Sequence, residues 1–229
     1  MKRYRFLLLI LLMACLYVGC NENEIALYNG DNSVNFYSTK IAYTFRDTDY
    51  VRGREWVDLT LEVEIQGEVK EPKDFCLKTD ENNSYTDKAN VAAENKYTYT
   101  ALDTTIQGVT IRVERPKNVT TEEPCRADLV FDLTNSFHQF APGREDKRSC
   151  KVEVSYKIKP SDDWGWYFWG RYSDGKYFFM MDIFQKVHKD IPMTILERDK
   201  LRAAYAEYRK TNPPILDDDG SEIVFELQM

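Results

Sequence analysis

From residue 33 onward the chain alternates apolar and polar positions with a period of two. The clearest stretch is 56–65, where Val57, Leu59, Leu61, Val63 and Ile65 alternate with Asp58, Thr60, Glu62 and Glu64. An apolar face backed by a largely acidic one describes a strand with one buried and one wet side, as antiparallel sheets present. Shorter runs predict further strands over 33–36, 41–45, 74–78, 97–101, 109–114, 128–133 and 150–158, separated by turn residues such as Gln66-Gly67, Gln107-Gly108 and Pro142-Gly143. Many short strands with no helix between them predict a mainly β fold, with an Ig/fibronectin-like antiparallel β-sandwich over 33–159.

The period breaks at Lys159-Pro160-Ser161-Asp162-Asp163. Trp164-Gly165-Trp166-Tyr167-Phe168-Trp169-Gly170 follows, the densest aromatic cluster in the chain. Read as extended backbone, it puts Trp164 and Trp166 on one face and Trp169 on the other. The apolar run 176–184 predicts a strand. Thr194 and Glu197 form a capping box, opening a helix with Ile195, Leu201, Ala204, Tyr205 and Tyr208 on one side. Pro213-Pro214 ends that helix, and 221–227 predicts a last strand. Residues 160–229 are thus expected to form a small α/β (β-α-β) C-terminal domain with one helix.

The first residues read differently. Lys2, Arg3 and Arg5 precede an apolar run from Phe6 to Gly19, and Cys20 and the polar Asn21-Glu22-Asn23-Glu24 come next. Basic, apolar and small residues in that order form an export signal. The run is shorter than the roughly 18–20 residues of a spanning helix. A Cys after a small residue resembles a bacterial lipobox, in which diacylglycerol is joined to the thiol. Cys15 is a rival attachment site, but it would leave Leu16-Tyr17-Val18 exposed on the tether. The expected organisation is a lipoprotein signal peptide over 1–19, lipidation at Cys20 and a flexible tether over 20–32. Each buried methylene contributes about 0.8 kcal/mol, so two or three acyl chains would hold the protein to the outer membrane or cell surface.

Charge narrows the partners. The chain carries 31 Lys and Arg against 38 Asp and Glu, a formal charge of −7. The leader removes three basic residues and leaves the body still more acidic, which argues against nucleic acid as a partner. Fifteen Tyr, twelve Phe and four Trp supply ample core material. Three cysteines follow Cys20. A Cys125–Cys150 bridge and three buried thiols are both open readings, with the thiols favoured because three cysteines make no disulfide framework.

Chemical signatures are sparse. His138 and His188 lie far apart, and neither HExxH nor CxxC spacing occurs, so no metal or other cofactor is expected. Neither a Gly-x-Ser-x-Gly elbow nor a phosphate loop is present, so the expectation is no enzyme; spatially paired carboxylates are invisible in sequence. Trp164, Trp166 and Trp169 are candidates for a ligand platform, because pyranose C–H faces stack on rings. Core packing is the competing fate of such a cluster, and the favoured one. Asp217-Asp218-Asp219-Gly220 reads as a solvated turn.

The leader, the opening Val-Phe strand and the tail together resemble a Bacteroidetes lipoprotein family catalogued as domain-of-unknown-function family 4843. The residues that carry this are 164–170, Tyr172-Ser173, Lys176-Tyr177 and the closing Asp218-Asp219-Gly220-Ser221-Glu222-Ile223-Val224-Phe225. The resemblance implies an accessory lipoprotein of an outer-membrane glycan uptake system, a non-catalytic module that binds a glycan or peptide. It brings no established activity. The alternatives are a structural or adhesive envelope protein that packs against partners, and an unrecognised hydrolase.

Overall fold

The computed structural model describes residues 32–101, 105–120, 123–159, 162 and 164–225. Cys15, Cys20, the leader 1–19 and the tether up to residue 31 lie outside them. Among the described residues the protein is mainly β. The strands are β1 (Ser33–Phe36), β2 (Lys40–Phe45), β3 (Trp56–Gln66), β4 (Lys73–Phe75), β5 (Leu77–Thr79), β6 (Val91–Ala92), β7 (Tyr97–Tyr99), β8 (Ile106–Glu114), β9 (Cys125–Phe131), β10 (Ala141–Pro142) and β11 (Ser149–Tyr156). They form sheets of order β10-β1-β3-β8-β6, β2-β11-β9-β5 and β4-β7.

Apolar alternation sets the register. In the β3–β8 pair, Leu59 faces Ile111 and Leu61 faces Val109, while Val34 of β1 faces Ile65. The ring of Phe36 in the first sheet stacks on Phe131 of the second, with centroids 4.3 Å apart. Both sheets therefore feed one core.

Two pairings depart from the all-antiparallel expectation. β2 runs parallel to β11, from Lys40 beside Lys151 to Phe45 beside Tyr156, and β1 runs parallel to β10. The exposed residues 37–39 carry the chain from the first sheet into the second. β2 therefore joins β11 instead of folding back on β1.

The predicted strand 74–78 divides at Cys76. Its N–H donates to His138 Nδ1 at 3.2 Å, and its carbonyl accepts the N–H of Asp132 at 2.8 Å. The backbone leaves one ladder there and enters another, so β4 pairs with β7 and β5 with β9. The possible Cys125–Cys150 bridge is excluded by register. Cys125 lies opposite Val154 and Cys150 opposite Leu129. Four strand positions separate them, roughly 13 Å, against the ~7 Å limit for bridged Cα atoms. All three cysteines of the body are free thiols.

The helices are α1 (Asp47–Val51), α2 (Trp166–Trp169), α3 (Asp174–Phe184) and α4 (Ile195–Tyr208). Helix α4 starts at Thr194 as its capping box predicts, with the Thr194 hydroxyl accepting the Glu197 N–H. The strand predicted over 176–184 is instead α3, and the extended reading of 164–170 gives way to the short turn α2. Ser173 caps α3 by accepting the Lys176 N–H at 3.3 Å. A helix buried on most sides shows no 3.6-residue period, which is why its apolar run reads as a strand. Over the described part of 221–227, an isolated bridge between Leu216 and Glu222 stands where a last strand was predicted. The described tail thus carries three α-helices rather than one. Asn32–Met229 is one compact unit, and a single apolar cluster includes strand residues with Trp164, Trp169, Tyr177, Leu201 and Phe225.

Candidate functional site

Helix α1 exists because acids crowd its first turn. The Asp49 carboxylate accepts the Arg46 N–H at 3.0 Å and Arg54 Nη1 at 3.1 Å. Gly53, at φ +62°, then turns the chain into β3. This aims Tyr50 at α3, where its ring meets Phe178 edge-on at 4.8 Å and its hydroxyl donates to Asp182 Oδ1 at 2.7 Å. A second tie runs from the Tyr177 hydroxyl to Asp47 Oδ2 at 2.9 Å.

Arg115 emerges beside this seam, just past the end of β8. Its N–H donates to the Glu55 carbonyl at 2.7 Å. Its guanidinium carbon lies 5.3 Å from the ring centre of Tyr50 and 5.2 Å from that of Tyr156. Two ring faces hold one cation, an arrangement favourable by about 0.5–2 kcal/mol per ring. Neither Arg115 nor Lys117 enters an ion pair among the described residues.

These groups border a pocket of about 470 Å³, with Glu55, Glu114 and Phe178 among its walls. The buried Tyr156 hydroxyl finds no hydrogen-bond partner there. Burial pushes its phenol up to about 12, so it stays protonated at neutral pH and able to donate. The pocket therefore joins aromatic surface, cationic donors and carboxylate acceptors, the composition of a site for a small polar ligand. A second pocket of about 490 Å³, lined by Asp87, Lys88, Asn118 and Glu123, shares Pro116 and Lys117 with the first.

The three predicted platform residues separate. Trp164 is buried, its Nε1–H donating to the Gly170 carbonyl at 2.9 Å, with its ring against Tyr172, Tyr177 and His188. Trp169 is wholly buried against Phe168. Trp166 alone of the three is open, at 62 % exposure, with Tyr167 beside it at 57 %. The helical turn sends the rings in different directions, and two of them close the core. No shared stacking face forms.

Some of the residues that carry the resemblance are buried, and others, Trp166, Tyr167 and Val224 among them, are exposed. Lys176 is buried, its Nζ donating to the Arg171 carbonyl at 2.7 Å, while Ser173 Oγ donates to Asp217 Oδ1 at 2.5 Å. Asp217 therefore turns inward, which corrects the reading of its acidic run as a solvated turn; Asp219 stays outside and pairs with Arg171 at 2.8 Å. Among the described residues no group of three His, Cys, Asp or Glu could hold a metal ion. Sequence reasoning missed Tyr50, Arg115 and Tyr156 entirely. They lie far apart in the chain and belong to no motif.

A mainly β chain with a mixed aromatic and polar pocket defines the class. No family model matches it, and no curated protein does. Solved structures resemble it weakly. A candidate carbohydrate-binding protein of Bacteroides ovatus shares 9% identity at a TM-score of 0.40, over 56% of this chain and 38% of that one. A two-domain Bacteroides fragilis protein of unknown function shares 12% at 0.35, over 56% and 47%. Bacteroides thetaiotamicron EndoBT-3987, solved with a Man5GlcNAc product, shares 11% at 0.36, over 50% and 28%. The chain thus spans less than half the length of each.

Proposed function

We propose that this protein is a non-catalytic binding module, held by lipid at Cys20 to the outer membrane, that captures a carbohydrate for an uptake system. In this reading the two large sheets are the layers of an Ig/fibronectin-like sandwich. One observation carries it: Arg115, clasped by Tyr50 and Tyr156, borders a pocket that also has Phe178, Glu55 and Glu114 in its walls. Sugar hydroxyls both donate and accept. Arg115 and Lys117 donate, Glu55 and Glu114 accept, and Tyr50 and Phe178 offer ring surface to C–H faces.

A glycan array probed with the folded full-length protein in detergent tests this. Binding to one carbohydrate class, lost in Arg115→Ala and kept in Tyr156→Phe, whose hydroxyl is buried, is the expected result. Tyr156→Phe removes only a hydroxyl that has no protein partner, so stability should hold. A folded protein that binds no saccharide overturns the reading.

A second reading has its own support. Trp166 and Tyr167 are exposed, and so are Ile195 and Leu196 at 63 % and 75 %. The Arg198 guanidinium lies 5.3 Å from the Phe168 ring centre, which sets α2 against the first turn of α4. Exposed apolar groups on neighbouring elements suit a protein partner, as the structural or adhesive alternative requires.

A further inference from the structure

The geometry points to an extended oligosaccharide as the ligand, lying across Lys117 with one end in the ring-walled pocket and the other in the polar pocket beside it. This inference rests on the carbohydrate reading above and adds the ligand's length, direction and contacts.

Pro116 and Lys117 border both pockets, so the two spaces flank one short ridge. That ridge is pinned. The Thr120 N–H donates to the Tyr156 carbonyl at 2.7 Å, and its hydroxyl accepts the Tyr156 N–H at 2.9 Å. The end of β11 therefore holds the far end of the ridge, and the proline stiffens the near end. A preformed ridge lowers the ordering cost of binding along it.

The two ends differ in chemistry. One has Tyr50, Tyr156 and Phe178 with Arg115. The other has Asp87, Lys88, Asn118 and Glu123, donors and acceptors without an aromatic ring. A single sugar would use one end and leave the other wet. A linear chain uses both: one unit stacks on the rings, and later units spend hydroxyls on the polar side groups. The exposed Lys117 sits at the middle, where its three N–H donors can reach hydroxyls of adjoining units.

An extended peptide fits less well. Peptides commonly bind by adding a strand to a free sheet edge. Here the β9 edge is taken: Arg126 N–H donates to the Asp87 carbonyl and Ala89 N–H to the Arg126 carbonyl, both at 2.9 Å.

The test uses full-length protein in detergent with gluco-, manno- and xylo-oligosaccharides from mono- to hexasaccharide, measured by calorimetry. Affinity should rise about tenfold or more from monosaccharide to tetrasaccharide and then level off. Asp87→Ala and Asn118→Ala, both at exposed side chains, together should weaken the tetrasaccharide about tenfold and leave the disaccharide unchanged. Arg115→Ala should weaken every length. Binding that ignores chain length, or a tetrasaccharide indifferent to the Asp87 and Asn118 changes, overturns the two-pocket ligand and leaves the carbohydrate reading standing. Binding of extended peptides but of no saccharide overturns both.

Discussion

Lys176 Nζ lies 4.0 Å from Asp217 Oδ2, with the two side chains 1% and 8% exposed. Burial depresses the Lys176 pKa, and the Asp217 carboxylate opposes that shift. Removing one partner from such a pair leaves the other charge buried alone, at a cost of about 3–5 kcal/mol. Asp217→Ala should therefore destabilise the fold by that order. Lys176→Met should cost less, and the double variant should recover part of the loss. Urea unfolding of the three variants checks the ordering; equal losses for both single changes would contradict it.

Alkaline pH should unfold the protein through its tyrosines. Burial raises Tyr50, Tyr156, Tyr172 and Tyr177 above the ordinary value of 10.0, Tyr156 to about 12. The folded state holds these protons after the unfolded chain has lost them. Their contribution is complete below pH 10 and is lost as pH climbs through 12. Lys176, shifted downward, works the other way as pH approaches 10.5, but it is one group against four. Phenolate absorbance for these rings should appear together with loss of the native near-ultraviolet signal. Phenolate forming well before unfolding would show that the rings titrate in the native state.

Two neighbouring tryptophans should behave oppositely. Trp169 is fully buried, so Trp169→Ala opens a cavity and should cost about 3–5 kcal/mol. Trp166→Ala removes a mostly exposed ring and should change stability by under about 0.5 kcal/mol. Thermal melts of the two variants decide the contrast.

The thiols of Cys76 and Cys150 should be inert. Cys76 and Cys150 are buried, and burial pushes Cys150 up to about 11. The thiolate is the reactive form, so Ellman's reagent should reach them only after unfolding. A reductant should leave the melting temperature unchanged. A large drop would reveal a crosslink.

The proposed anchor has its own measurement. Cys20→Ser should leave the protein unacylated, and membrane fractionation should find it soluble or unprocessed. Acyl label that persists in Cys20→Ser but vanishes in Cys15→Ser would move the attachment site.

Strand β3 was legible because its pleat has one wet face, so Val57 to Ile65 alternate openly with acids and Thr60. Helix α3 was not, because Lys176, Tyr177, Phe179, Met180 and Met181 are all buried and polar positions mark no face. The usable clues were its length and Ser173 at the cap. Helix α1 is one turn long, too short for any period, and only Gly53 and the acids at 47 and 49 hint at it. The tail's importance was visible in Trp164 through Gly170, but its meaning was not: Trp164 and Trp169 make core. Tyr50, Arg115 and Tyr156 become neighbours only when a helix and the ends of two strands from different sheets converge, and no spacing rule encodes that.

The parallel pairing of β2 with β11 sets an order of events as the chain emerges. Residues 40–45 leave the ribosome long before residues 151–156, the strand beside which they must lie. Loop closure over that distance is slow compared with hairpin formation. The growing polypeptide therefore carries an open strand, and a product cut short before β11 lacks both that strand's mate and one of the two rings that hold Arg115. In the proposed reading, ligand capture therefore requires the chain to have been made through Tyr156 and Phe178.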